Sequence, residues 1–239
     1  MALAVARRAN NALENDVPPL NRDQALARYR HLREICKRHH HEILNLISGG
    51  ALLHQARRLG LADGKTLILD DLDEMNYVYD LVIHTAPAGR SRAIDRYSRS
   101  ARLAAGSDEA LVLAAMRAAR FSILVVKRRH EMAGLIVTDL FRRTEAWLVD
   151  LGLESSIPEG SMMATRLFTA EGFSMTAGVF VPFDLETIED LYMELPRRLG
   201  ESKLDAVIDD RRFAEAIYRV ALADGIMDRV AYQDLPDDA

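Results

Sequence analysis

The chain has 239 residues, long enough to bury a substantial core, and its 49% apolar and 28% charged content is that of a folded globular protein and not of a disordered tail. Uninterrupted apolar stretches such as Ile123–Val126 last a handful of residues, which argues against a membrane span, and the N-terminus lacks the apolar run of a signal peptide. A single cysteine, Cys36, excludes an intramolecular disulfide framework and suits a reducing cytoplasm.

The net charge of −5 is unevenly spread. Residues 1–60 carry ten Arg and Lys against five Asp and Glu, whereas residues 184–239 carry seven against fifteen. Such asymmetry fits either a basic face for an anionic partner or two ends that sit on different faces of one globule. Arginine outnumbers lysine 27 to 4.

Residues 1–20 read as a flexible arm ending at Pro18-Pro19. Asn21, with Gln24 in capping-box position, opens a helix to Ile47, and Ser48-Gly49-Gly50 breaks it. A shorter helix covers Ala51–Leu61, followed by a turn at Asp63-Gly64. Met75, Val78, Tyr79, Val82 and Ile83 recur at helical spacing. Arg90–Arg102 is a basic helix or turn, and Ser107-Asp108-Glu109 starts a helix that runs to about Ala119.

A β module follows. Expected strands are Phe121–Arg128, Leu135–Phe141, Ala146–Leu151, Met162–Phe168 and Phe173–Val181, with breaks at Glu131–Gly134, Arg142–Glu145, around Pro158-Glu159-Gly160 and at Glu171-Gly172. In the last of these, Phe173, Met175, Ala177, Val179 and Val181 share one side, and Ser174, Thr176 and Gly178 face outward. Several strands are apolar on both faces, so helices should cover one side of the sheet. Asp184 then caps a helix with Leu185, Ile188, Leu191, Tyr192 and Leu195 in one stripe. A short helix near Ser202–Ile208 and another over Arg211–Asp224 complete the chain. The expected fold is α+β: a helical region over 21–119, a small five-stranded antiparallel module (barrel or curled sheet) over 120–183, and an acidic helical region over 184–239 packed on the rest.

Two motifs imitate known chemistry and fail on geometry. Gly60-Leu-Ala-Asp-Gly64-Lys65-Thr66 has three residues between its glycines where a phosphate loop needs four, and it follows a helix. Gly172-Phe-Ser174-Met-Thr176 lacks the second glycine of a nucleophile elbow, and its serine opens a strand. Cys36, His39 and His40 stand at i, i+3 and i+4 on a helix, a spacing that could give three ligands to zinc. The plainer explanation is a packed thiol beside solvated imidazoles. His54, His84 and His130 have no partner in the sequence. Asp139 and Asp150 lie near apolar residues, but turn capping explains Asp139 without chemistry. Lys127, Arg128, Arg129, Arg142, Arg143 and Arg166 could form a basic ribbon for nucleic acid, although seven basic residues face seven acidic ones over 119–183.

The segments Tyr77–Leu81, Gly89–Tyr97, Ser107–Leu111, Ala119–Ser122, Gly134–Leu140, Trp147–Asp150 and Gly160–Leu167 occur in an order that resembles a set of uncharacterised bacterial proteins. In these a helical segment precedes a small β module, and some carry a cysteine-rich SEC-C zinc motif. The resemblance spans roughly residues 75–181 and implies an accessory or binding role, with no catalytic residue to carry over. With Cys36 alone, the zinc motif is absent.

The expectation from these features is a cytoplasmic, non-catalytic binding or adaptor protein, with no cofactor expected. Its partner is expected to be another protein or a second copy, through Leu185, Ile188, Leu191 and Tyr192. The alternatives are a metal-dependent enzyme using Cys36, His39 and His40, and a nucleic-acid binder using the arginines of the β module. No membrane association is expected.

Overall fold

The computed structural model describes residues 21–195 and 207–225. The expected N-terminal arm and most of the expected 202–208 helix lie outside the described residues. Helix α1 (Arg22–Asn45) begins with the reciprocal capping box that the sequence predicts: the Gln24 backbone N–H donates to the Asn21 side chain, and the Asn21 N–H donates to the Gln24 side chain. Ser48 both follows this helix and caps the next, α2 (Gly49–Leu59), which Gly60 ends in the left-handed region at φ 81°. A two-residue hairpin, β1 (Ala62–Asp63) with β2 (Thr66–Leu67), forms around Asp63-Gly64. Helices α3 (Leu72–His84), α4 (Ala93–Ser100) and α5 (Asp108–Arg117) follow; Asp71 caps α3 and Ser107 caps α5.

The β module comprises β3 (Arg120–Arg129), β4 (Leu135–Asp139), β5 (Glu145–Leu148), β6 (Met162–Thr169) and β7 (Ser174–Phe183). These strands hydrogen-bond in the order β3-β4-β5-β7-β6, with β6 returning to β3, so the sheet closes on itself. The expectation of a wholly antiparallel module is corrected: β5 and β7 run parallel through the single pair Leu148 and Ser174. The reason is topological, because five strands joined in a ring cannot alternate direction at every joint.

A second correction concerns residues 149–151, expected as the end of a strand. Asp150 instead accepts from the Leu153 N–H and caps a one-and-a-half-turn helix, α6 (Leu151–Ser156). Ser174 and Thr176 are also not outward-facing. Ser174 is 3% exposed, with its hydroxyl 2.7 Å from that of Thr169 on the neighbouring strand, and Thr176 is 4% exposed and donates its hydroxyl to Asp150 Oδ2 at 3.1 Å.

The two faces of the sheet enter separate apolar clusters. Leu124, Val126, Leu135, Val137, Leu148 and Met163 pack together in one. Phe121, Ile123, Ala164, Phe168, Met175, Val179 and Val181 join Leu32, Ile35, Leu81, Phe213 and Ile217 from the helices in the other. Helices therefore cover one face, as the double-sided apolar strands require. The C-terminal helices α7 (Leu185–Glu194) and α8 (Arg211–Ala223), capped by Asp184 and Asp210, pack on each other, and α8 also packs on α3 and β7.

A candidate anion site

Helix α3 carries Asp80 and His84 one turn apart, so both lie on the face turned to the sheet. Asp80 is 4% exposed and meets Arg166 of β6, itself 6% exposed, in a two-bond ion pair: Nε donates to Oδ1 at 2.6 Å and Nη2 to Oδ2 at 2.8 Å. Tyr218 of α8 donates its hydroxyl to Oδ2 at 2.8 Å. The Tyr218 ring stacks on Tyr77 at 4.6 Å, and the Arg166 guanidinium lies 5.5 Å from the centre of the Phe121 ring. Burial opposes ionisation of Asp80, but the adjacent guanidinium outweighs it and holds the carboxyl below its usual range.

His84 has no such arrangement. It is 5% exposed, and neither ring nitrogen has a hydrogen-bond partner. Burial and the Arg166 charge push its pKa well below 6.5, so the ring is a neutral imidazole with one donor and one acceptor unmet.

His84 and Arg166 line a cavity of about 300 Å³ between the end of α3, the start of β3 and the start of α8. Phe121, Ile208 and Ala214 give it buried apolar surface, and Arg90, Arg120 and Arg211 are exposed cations lining it. Most other charges here are matched. Arg166 pairs with Asp80, Arg92 with Asp95, Asp209 with Arg142, and Asp210 with Arg212. Arg211 donates to the Ala86 carbonyl, a neutral acceptor. Among the described residues, Arg90, Arg120 and Arg211 form no ion pair with a carboxylate. Asp210, Arg211 and Ala214 also bring the N-terminal turn of α8 to the cavity, where the Asp210 carboxylate already accepts from the Arg212 N–H. The arrangement places three cations without carboxylate partners among the described residues around one recess.

The residues singled out in the sequence are dispersed. Cys36 Sγ lies 3.9 Å from His40 Nδ1, but His39 turns away; its Nδ1 lies 3.0 Å from the Tyr97 hydroxyl and its Nε2 2.9 Å from the Glu109 carbonyl oxygen. Among the described residues no group of three or more His, Cys, Asp or Glu could hold a metal ion. Burial pushes the Cys36 thiol up to about 11, and burial with the Arg33 charge lowers His40 to about 4. Asp139 accepts from the N–H groups of Phe141 and Arg142, the expected turn cap, and Asp150 caps α6.

Of the arginines considered for nucleic acid, Arg166 is buried against Asp80, and Arg142 is held by Asp139 and Asp209. On α7, Leu191 and Leu195 are buried and Ile188 packs on the main cluster; the side chains of Leu185 and Tyr192 lie outside the described residues. Sequence reasoning left His84 without a partner and did not single out Arg90, Arg120 or Arg211 as a set. The only local signal was the arginine-rich stretch after Gly89.

The fold and cavity thus define an α+β protein with a cationic recess between its helices and a closed, mixed sheet. The chain belongs to a family of unknown function, DUF7986, whose model matches residues 23–230. No curated protein and no solved structure matches it. Among the described residues no helix is long and apolar enough to cross a membrane.

Proposed function

We propose that this is a binding protein whose ligand carries an anionic group into the cavity between α3, β3 and α8. The observation that carries the reading is the convergence of Arg90, Arg120 and Arg211, without carboxylate partners among the described residues, on a recess with the unpaired His84 at its buried side. A recess of about 300 Å³ lies at the lower end of small-molecule sites. The binding role expected from the sequence is kept, and its partner changes from a protein to a small anion. The apolar stripe that suggested a protein partner has Leu191 buried and Ile188 packed on the core. The buried thiol of Cys36 is compatible with a cytoplasmic setting.

The test is thermal unfolding at fixed ionic strength in chloride, sulfate, phosphate and citrate, for the native chain and for Arg120→Gln. A ligand that binds only the folded state raises Tm with its concentration. The expected result is a concentration-dependent rise with the multivalent anions that shrinks in the variant. Equal behaviour in all four salts would contradict it.

A further inference from the structure

We infer that the ligand is a phosphate monoester of a small organic molecule, an inference that rests on the anion-binding reading and narrows it. Three features of the cavity separate this class from other anions. Its unmatched cations come from three separate segments: Arg90 from the loop after α3, Arg120 from the start of β3, and Arg211 from the first turn of α8. A planar carboxylate is satisfied by one guanidinium in a two-bond fork, whereas a phosphoryl group presents three terminal oxygens and can be held from three sides.

The recess also extends beyond its charges. Its volume of about 300 Å³ includes surface from Phe121, Ile208 and Ala214, so an inorganic ion alone leaves apolar wall uncovered. An organic group attached to the phosphoryl covers that wall. His84 is the third feature, independent of the other two. Its two ring nitrogens are enclosed and unpaired, a costly state for a buried polar group unless a ligand meets it. A hydroxyl or carbonyl on the organic part supplies the missing partner once the ring turns towards the recess, because both nitrogens are covered in this structure.

Isothermal titration of the full chain at constant ionic strength tests this with five probes: phenyl phosphate, inorganic phosphate, sulfate, malonate and a single-stranded 12-mer oligonucleotide. Phenyl phosphate is expected to bind tightest, at least fivefold tighter than inorganic phosphate and more than tenfold tighter than malonate. Arg90→Gln and Arg120→Gln, both at exposed positions, should each weaken phenyl phosphate by about tenfold, the loss of one charged hydrogen bond. Malonate binding as tightly as phenyl phosphate would overturn the phosphate assignment and leave the anion reading intact. Inorganic phosphate binding as tightly as phenyl phosphate would overturn the organic part. Tightest binding by the oligonucleotide would assign the cations to a nucleic-acid backbone instead. No heat above chloride with any probe would remove both the inference and the reading beneath it.

Discussion

Asp80 on α3 and Arg166 on β6, 86 residues apart in the chain, meet with both side chains inside the protein and two hydrogen bonds between them. This pair ties the helical layer to the closed sheet at the wall of the recess. It also explains why Arg166 lines the cavity without adding net charge to it, which leaves Arg90, Arg120 and Arg211 as the lining arginines that the proposed anion would meet.

Removing one partner leaves a buried charge unmatched. Asp80→Ala should destabilise the protein by about 3–5 kcal/mol in urea unfolding, because Arg166 then has no carboxylate. The double change Asp80→Leu with Arg166→Met should recover most of that loss, since apolar replacement of both charges is often neutral. A loss below about 1 kcal/mol for Asp80→Ala would show that water reaches the pair.

Acid should weaken the fold in two stages. His40 takes up its proton near 6.5 when unfolded but only near 4 when folded, and His39 and His84 are lowered in the same direction. The unfolded state therefore binds more protons between those values, and stability is complete above pH 6.5 and declines towards pH 4. Asp80, also held low, adds a further loss below its ordinary value of 3.8. Urea midpoints measured from pH 8 to pH 4 should follow this decline, and His40→Gln should flatten its upper part. A midpoint unchanged down to pH 4 would contradict the buried neutral imidazoles.

Gly134 is required by a close approach. It sits at φ 76°, and an added Cβ would lie 2.2 Å from the Leu148 carbonyl oxygen on the adjacent strand. Gly134→Ala should cost at least about 3 kcal/mol, through strain and a displaced β4–β5 pairing. Gly160→Ala, at φ 85° with nothing within 4 Å, is the control and should cost only about 1 kcal/mol. Equal costs would mean that the backbone angle alone, and not the contact with Leu148, sets the penalty.

Cys36 should be inert in the native state. It is 1% exposed, and its thiol is pushed up to about 11 by burial, so little thiolate exists at neutral pH. Ellman's reagent should label it only as fast as the chain opens, with the rate rising in urea. Immediate labelling of the folded protein would refute the packing described for α1.

The sequence made legible what local chemistry decides. Asn21 with Gln24, Ser107 and Asp184 cap helices where their side chains predict, because a cap is an interaction across three residues. Four of the five strands were placed to within two residues at each end by their apolar pattern. The errors fall where distant partners decide. Helix α6 replaces the end of an expected strand because Asp150 caps it. The parallel β5–β7 joint follows from closure of the ring, which no single strand encodes.

The candidate site was obscured for the same reason. The spacing of Cys36, His39 and His40 placed them on one helix, but Tyr97 and Glu109, far along the chain, draw the His39 ring away. Arg90, Arg120 and Arg211 lie in three stretches with nothing in common except the recess they line. The basic residues counted along the β module included Arg142 and Arg166, whose charges are matched by acids from other elements.

The most direct measurement locates the anion itself. Crystals grown in chloride and transferred to selenate, a tetrahedral dianion with an anomalous signal, report its position without assuming an affinity. The account predicts a selenium peak in the recess, within ion-pair distance of Arg90, Arg120 and Arg211 and beside the first turn of α8. Selenate bound at other surface arginines, with that recess holding none, would contradict the central claim.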